Sequence, residues 1–221
     1  MAGDVSDSRL VIFDFDGTLA DTVPSIVSTA RTVLLDHGLT EETMGDLTRL
    51  VGPPFPQAYS LVYGFSEAEA AQITAEYRAI YRGIGAAAWP LFDGVAELLR
   101  RLRSAGRLTA VASSKQMAMV ERALADNGIT DLFDVALGKG SDAESDKAAL
   151  IGRVLSELGV DPRDAVMVGD RHHDVDAARA CGVACVGVTY GGTGTTEELM
   201  GAGALVCAGT VRELGRVLLG M

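Results

Sequence analysis

Two aspartates, Asp14 and Asp16, come directly after the apolar run Leu10–Phe13 and before Gly17. A continuous apolar run that ends at a glycine is typical of a strand buried on both faces, as in a parallel sheet. Side chains two residues apart on an extended chain point the same way, so we expect two adjacent carboxylates at the strand end. Such like charges are unfavourable unless a cation or a shared proton offsets them, and oxygen ligands of this kind suit Mg²⁺.

Two hydroxyl groups and a lysine follow a second apolar run, at Ser113, Ser114 and Lys115. Hydroxyl and backbone N–H groups at the beginning of a helix can donate hydrogen bonds to phosphoryl oxygens. The alternative is that Ser113 or Ser114 only caps the next helix. Because the chain also carries Asp14 and Asp16, we favour the functional interpretation.

The chain has three lysines, Lys115, Lys139 and Lys147, and all lie in its second half. Lys147 is predicted to begin a helix after the polar stretch 138–146. Its charge there could neutralise a phosphoryl group and hold Asp14 in place. Lys139 is the rival for this role, but it stands between two glycines in a less regular stretch.

Another acidic pair, Asp170 and Asp174, follows a further apolar run. Asp170 is expected at the strand end as a metal ligand, and Asp174, one helical turn later, could support the metal or the lysine. Taken alone, the pattern also fits a helix N-cap with an acid in its first turn. His172 and His173 are expected to be loop residues. The GGTGT sequence at 191–195 lacks the ending of a nucleotide-binding loop, so we interpret it as a turn.

Strands and helices must alternate to position these groups. Apolar runs predict strands near 10–13, 108–112, 133–137, 165–168, 184–189 and 205–207, with helices between them. This order predicts an α/β fold with a doubly wound parallel sheet, a Rossmann-like core that binds ligands beyond the carboxyl ends of its strands.

The first two strands are separated by a stretch without a strand signal. Helices are predicted there at 25–37, 40–50, 55–63 and 66–82. We therefore expect a core of residues 1–21 and 90–221, with a small all-helical cap inserted after the first strand. This segment, residues 22–89, is called the helical insertion below.

Composition and charge argue against several classes of function. A formal net charge of −11 makes nucleic acid a poor partner. No apolar run approaches the roughly 20 residues that span a bilayer, and the N-terminus has no apolar signal segment. We therefore expect a cytoplasmic protein that does not bind a membrane. Cys181, Cys185 and Cys207 are expected to be reduced thiols. A zinc site formed by Cys181 and Cys185 near His172 and His173 is the less favoured alternative.

The sequence DFDGTLADT, from Asp14 to Thr22, resembles the first motif of the haloacid dehalogenase-like hydrolases. The residues of this motif are similar to those of the phosphoglycolate phosphatase branch. The GDRHHD sequence at 169–174 and the Tyr190-Gly191 turn look more like the 5′-nucleotidase-like members. Ser113, Lys147 and the GDxxxD pattern stand where the family has its second, third and fourth motifs.

The resemblance implies a role for each of these positions. Asp14 would be the nucleophile and Asp16 the general acid/base, with Ser113 and Lys147 stabilising the transferred phosphoryl group. Mg²⁺ would bind Asp14, the backbone carbonyl of Asp16 and Asp170, with Asp174 behind them. Further contacts with the substrate are expected from five residues, the last two in the helical insertion: Thr18, Ser114, Lys115, Arg49 and Gly52. The Gly52-Pro53-Pro54 turn could equally be a simple helix breaker.

These expectations together predict a Mg²⁺-dependent phosphomonoester hydrolase that acts on a small phosphorylated metabolite through an aspartyl-phosphate. The protein would be a monomer or a homodimer. A 5′-nucleotidase-like or phosphotyrosine-directed phosphatase is the alternative within this class. A regulatory or binding protein without turnover and a protein phosphotransferase are the alternatives from other classes.

Overall fold

Six parallel strands form one sheet in this computed structural model, which describes residues 5–141 and 146–220. The strands are β1 (Leu10–Phe13), β2 (Leu108–Gln116), β3 (Val135–Lys139), β4 (Ala165–Gly169), β5 (Ala184–Val188) and β6 (Val206–Ala208). Their spatial order is β3-β2-β1-β4-β5-β6, so the direction of winding reverses between β1 and β4. This order confirms the predicted fold class. Ligands of doubly wound sheets bind at such a reversal, so the site is expected after β1 and β4.

Alternate residues of β1 supply two separate apolar cores, one on each face of the sheet. Val11 and Phe13 pack into one core, and Leu10 and Ile12 pack into the other. All four side chains are buried, which explains the unbroken apolar run. The helices of the core are α5 (Val95–Ser104), α6 (Met117–Asp126), α7 (Lys147–Leu158), α8 (His172–Ala180), α9 (Thr196–Ala202) and α10 (Val211–Leu219). None of the helices in the described ranges is long and apolar enough to cross a membrane.

The helical insertion contains α1 (Val23–Asp36), α2 (Glu41–Met44), α3 (Gln57–Tyr63) and α4 (Glu67–Ile84). The predicted single helix at 40–50 is wrong. Its second half is a separate 3₁₀ turn, Leu47–Leu50, because the backbone of Gly45 turns to a φ of 57° and Asp46 caps the new turn. The Ser66 cap of α4 accepts a hydrogen bond from the Glu69 N–H, and the Glu69 carboxylate accepts one from the Ser66 N–H.

Two connections join the helical insertion to the core, and they run side by side. The Asp21 N–H donates to the Pro90 carbonyl at 2.8 Å, and the Phe92 N–H donates to the Leu19 carbonyl at 3.1 Å. The Trp89 indole N–H donates to Asp126 of α6 at 3.1 Å, which anchors the second connection to the core. Both ends of the insertion are therefore fixed at the same place above the sheet.

Two further local expectations differ from the structure. β2 does not end at residue 112 but continues to Gln116, with a register shift against β3 after Ala112. His172 and His173 are not loop residues, because they form the first turn of α8. The polar stretch before Lys147 falls partly on residues 142–145, which lie outside the described residues.

Candidate active site

Lys147, the first residue of α7, lies between two buried carboxylates. Its Nζ is 3.0 Å from Asp14 Oδ1 and also forms an ion pair with Asp174 Oδ1. Burial alone would lower the pKa of Lys147, but the two carboxylates raise it well above its ordinary value. The lysine is therefore a fixed positive charge in the interior, directly beyond the end of β1.

Asp14, Asp170 and Asp174 form a compact acidic cluster at the reversal point of the sheet. Each offers a carboxylate oxygen, and these oxygens lie within 4.8 Å of one another. Burial, followed by the neighbouring acids, raises the pKa of Asp170 to about 8, and burial raises that of Asp14 to about 6 against the lowering effect of Lys147. Asp14 Oδ1 is buried, with the Lys147 ammonium 3.0 Å away. A hard divalent cation fits this set of oxygens, because it would offset the crowded negative charge.

Two hydroxyl groups hold the carboxylate of Asp170. Thr18 Oγ1 donates to Asp170 Oδ1 at 3.3 Å, and Thr193 Oγ1 donates to Asp170 Oδ2. Thr18, which was expected to contact the substrate, is fully buried in this contact and does not line the cavity described below. Thr193 was missed because a threonine in a glycine-rich turn carries no signal of a distant partner.

The turn at 190–194 packs tightly against both acidic loops. The Tyr190 hydroxyl donates to the Thr18 carbonyl at 2.7 Å. A Cβ on Gly191 would overlap the carbonyl oxygen of Gly17, and one on Gly194 would overlap that of Asp170. The segment is a turn as predicted, but glycine is required there because two backbones approach closely.

Asp16 faces a different partner from Asp14. Both of its carboxylate oxygens accept from the Lys115 ammonium, at 2.8 and 3.1 Å. Lys115 Nζ also donates to the Tyr81 hydroxyl of α4 at 3.4 Å and lies 5.0 Å from the centre of that ring. Asp14 and Asp16 therefore do not act as two adjacent carboxylates on one strand. β1 ends at Phe13, and Asp14 pairs with Lys147 whereas Asp16 pairs with Lys115.

Ser113 and Ser114 line the cavity with Asp14 and Asp16. The Ser113 hydroxyl accepts a hydrogen bond from the Lys115 N–H at 3.4 Å, which leaves its own proton for another acceptor. Neither serine caps α6, whose N-cap residue is Gln116 and has no side-chain cap bond. The alternative that these serines only cap the next helix is therefore not what the structure shows.

The cavity opens to solvent between the strand ends and the helical insertion, and the empty space within it and its mouth together is about 730 Å³. Gly52 lines it as expected. Arg49 is exposed and does not line it, so the structure does not bring this arginine to the site. Arg78 of α4 lines the cavity instead, although no sequence pattern indicated it.

Arg171 connects the core to the segment that carries Gly52. Its Nη1 donates to the Val51 carbonyl at 2.6 Å, and its Nε donates to Glu198 of α9 at 3.2 Å. Glu198 also accepts from the His172 N–H and contacts His172 Nδ1 at 2.7 Å. Burial alone would raise the pKa of Glu198, but these hydrogen bonds lower it to about 2.

The zinc alternative has no geometric support in the described ranges. The groups of potential ligands found there contain aspartates only, and Cys181 instead donates to the Ala148 carbonyl at 3.2 Å. All three cysteines are free thiols. Burial lowers the pKa of His173, and the contact of His172 with Glu198 gives that histidine a role in holding α8 and α9 together.

Known proteins are similar to this chain in sequence and in fold. A family model described as haloacid dehalogenase-like hydrolase matches residues 11–188. The tyrosine-protein kinase PtkA of Mycobacterium tuberculosis is 39% identical over 213 residues, which cover 95% of this chain and 72% of that protein. A 5′-nucleotidase of Pseudomonas aeruginosa is 34% identical over 190 residues, covering 86% of each chain. The crystal structure of a predicted phosphatase from Clostridium acetobutylicum matches with a TM-score of 0.90 at 31% identity, covering 97% of this chain and 99% of that one.

The sheet order and the buried acids after β1 and β4 define a Rossmann-like α/β enzyme. The chain belongs to the haloacid dehalogenase-like hydrolase family, since the family model covers most of it. Proteins named phosphoglycolate phosphatase and 5′-nucleotidase are among its relatives, so the resemblance expected from the sequence is confirmed. The family and the relatives named as phosphatases identify the chain as a phosphatase.

Proposed function

We propose that this protein is a Mg²⁺-dependent phosphomonoester hydrolase that acts on a small phosphorylated metabolite through an aspartyl-phosphate on Asp14. The observation that carries the proposal is the position of Lys147, held between Asp14 and Asp174 beside Asp170. This arrangement supports a site that binds a phosphoryl group between a cation and a nucleophilic carboxylate. A binding protein without turnover would not need a buried lysine paired with Asp14.

The residues present fit a divalent cation. Asp14 and Asp170 would hold it with their carboxylates, and the backbone carbonyl of Asp16 would complete the set, as the family resemblance implies. Asp174 would remain behind, since it pairs with Lys147. Bound there, Mg²⁺ would stabilise negative charge on the phosphoryl oxygens as a Lewis acid.

The chain's own groups account for the two chemical steps. An Asp14 carboxylate oxygen attacks phosphorus, the bond from phosphorus to the leaving oxygen breaks, and Asp16 gives that oxygen a proton. Water then attacks the phosphorus of the aspartyl-phosphate while Asp16 takes its proton, and the bond from phosphorus to Asp14 breaks. Lys147 and the Ser113 hydroxyl stabilise the charge on the transferred group. Lys115 orients Asp16 through both carboxylate oxygens.

The helical insertion, residues 22–89, would act as a cap on the core. Its two ends lie together at the Ala20–Leu91 bridge, which is the geometry of a hinge. Closure over the strand ends would exclude water from the transferred phosphoryl group. The Arg171 contact with Val51 supports a closed position in this structure.

A protein phosphotransferase is the alternative function, because the chain is similar to a tyrosine-protein kinase. Both reactions can use a carboxylate at the position of Asp14, so the acceptor distinguishes them. Transfer from a nucleoside triphosphate to a tyrosine peptide, without release of inorganic phosphate, would favour the kinase. Release of inorganic phosphate to water would favour the hydrolase.

The test is phosphate release from phosphoglycolate, nucleoside monophosphates, sugar phosphates and phosphotyrosine, with and without added Mg²⁺. We expect release that requires the metal and that Asp14→Asn lowers by at least about 10³-fold, because the amide is a far weaker nucleophile. Asp21→Asn is the matched control, since Asp21 does not line the cavity. A rate like that of the wild type for Asp14→Asn would contradict the assignment of the nucleophile.

A further inference from the structure

The wall of the cavity that faces the strand ends is built largely from apolar and aromatic side chains. The strand ends contribute Asp14, Asp16 and Ser113 to one side. The helical insertion contributes six apolar or aromatic side chains to the other: Ile26, Leu50, Val51, Phe55, Tyr77 and Tyr81. A substrate whose phosphate lies on the polar side therefore directs its leaving group toward this apolar wall.

Three of these side chains are rings in contact with one another. Phe55 meets Tyr77 edge to face with ring centres 4.9 Å apart, and Tyr77 stacks on Tyr81 at 5.3 Å and 17°. Tyr77 and Tyr81 are 5% and 3% exposed, so their rings are held by packing before a ligand arrives. The Tyr81 hydroxyl donates to the Ala88 carbonyl at 3.2 Å, which also fixes that ring.

The cations of this lining are already engaged. Lys115 gives its ammonium to both oxygens of Asp16, and Arg78 has an interaction of its own. An anionic leaving group such as a carboxylate would have to compete with Asp16 for Lys115, or with the existing interaction of Arg78. A polyol would find a wall with few hydrogen-bonding groups. A planar ring, in contrast, would gain apolar contact and edge or face contact with preformed aromatic side chains.

We propose that the leaving group of the substrate carries an aromatic ring that packs against Phe55, Tyr77 and Tyr81. The substrate class is thus a phosphate monoester of an alcohol that bears an aryl ring or a nucleobase. The inference rests on the proposed function and specifies the substrate of the same site. Met119 on the core side of the cavity adds a flexible thioether that can contact the same ring.

Two pairs of esters test this class without changing the chemistry of the leaving oxygen. Benzyl phosphate is compared with cyclohexylmethyl phosphate, and uridine 5′-monophosphate with ribose 5-phosphate, all with Mg²⁺. We expect kcat/KM to be about 2- to 10-fold higher for benzyl phosphate, because the two rings bury similar area and only ring packing differs, or about 10- to 100-fold higher for uridine 5′-monophosphate, whose base also adds buried area. An effect confined to the first pair would indicate an aryl ring near the reacting carbon, and one confined to the second a nucleobase.

Phe55→Leu keeps an apolar side chain but removes a ring. It should therefore lower, severalfold, the ratio of kcat/KM for the aromatic ester to kcat/KM for its non-aromatic partner. Phe65→Leu is the matched control, because Phe65 contacts Tyr63 and does not line the cavity; it should leave the ratio unchanged. Phosphate release with both ratios near one, or a preference for phosphoglycolate over every aromatic ester, would overturn the inference while the hydrolase proposal stands. Release from no ester at all would overturn the hydrolase proposal and the inference together.

Discussion

The two walls of the cavity are stabilised in opposite ways. At the strand ends, buried charges hold one another, as Lys147 does with Asp14 and Asp174. On the helical insertion, rings hold one another through packing, as Tyr77 does with Tyr81. Removing a charge on the first wall leaves another charge buried without a partner, whereas a change of ring on the second alters shape and contact. We infer that the first wall governs whether reaction occurs and the second governs which ester reacts.

Among the variants that compare the two walls, the largest effect is expected for Lys147→Met on the charged wall. Loss of the ammonium removes stabilisation of the transferred group and leaves Asp14 beside Asp174 uncompensated. We expect kcat/KM to fall by about 10²- to 10³-fold for every ester, aromatic or not. Initial rates across the two ester pairs, with thermal melting to check folding, provide the measurement.

Lys139→Met is the comparison for that variant, because Lys139 was the rival lysine and lies at the end of β3. It should cost much less activity than Lys147→Met. Equal losses in the two variants, both folded, would show that the position of Lys147 is not special. A loss of kcat/KM that differs between aromatic and aliphatic esters would contradict the inference that the charged wall does not govern the choice of ester.

A smaller effect is expected at the contact between the walls. Arg171→Gln removes the hydrogen bond to the Val51 carbonyl, so the segment that carries Gly52 is held less firmly over the site. We expect KM to rise about tenfold with a smaller change in kcat, since a charged hydrogen bond contributes about 1.5–3 kcal/mol. Arg163→Gln, at an exposed ion pair with Asp161, should change neither constant. A fall confined to kcat would argue against this role.

The smallest effect concerns stability rather than activity. The pKa of Glu198 is about 2 in the fold and near 4.5 when unfolded, so its contribution is fully present above pH 4.5 and is lost as the pH falls toward 2. We expect Glu198→Gln to lower the free energy of unfolding by about 1 kcal/mol at pH 6 and by less at pH 3. Urea denaturation of both proteins at both pH values measures this. A difference that stays constant with pH would count against the Arg171 and His172 contacts as its source.

The charged wall could be anticipated from the sequence because it depends on strand ends. Once apolar runs predict parallel strands, the residues after β1 and β4 must meet at one edge, and the first residue of α7 comes close to them. That reasoning applies to Asp14, Asp170 and Lys147, whose proximity the structure shows. Their chemical roles stay predictions until the variants are measured.

Two other contacts, Lys115 with Asp16 and Arg171 with Val51, could not be anticipated in this way. The Lys115 pair with Asp16 depends on the continuation of β2 to Gln116, which the polar residues after Ala112 conceal. Arg171 and Val51 are 120 positions apart and leave no periodic signal. Arg49 lies close to the Gly52 turn in the sequence and was expected to contact the substrate, but its side chain does not line the cavity.

The turn at 190–194 has a consequence for how this fold can vary. Its backbone touches the loops of Asp14 and Asp170 at Gly191 and Gly194, where even a methyl group has no room. An alanine at either position would push apart segments that converge from three regions of the chain. The turn therefore keeps the two acidic loops at a fixed distance, and the acidic centre has no room for a side chain at two residues that take no part in the reaction.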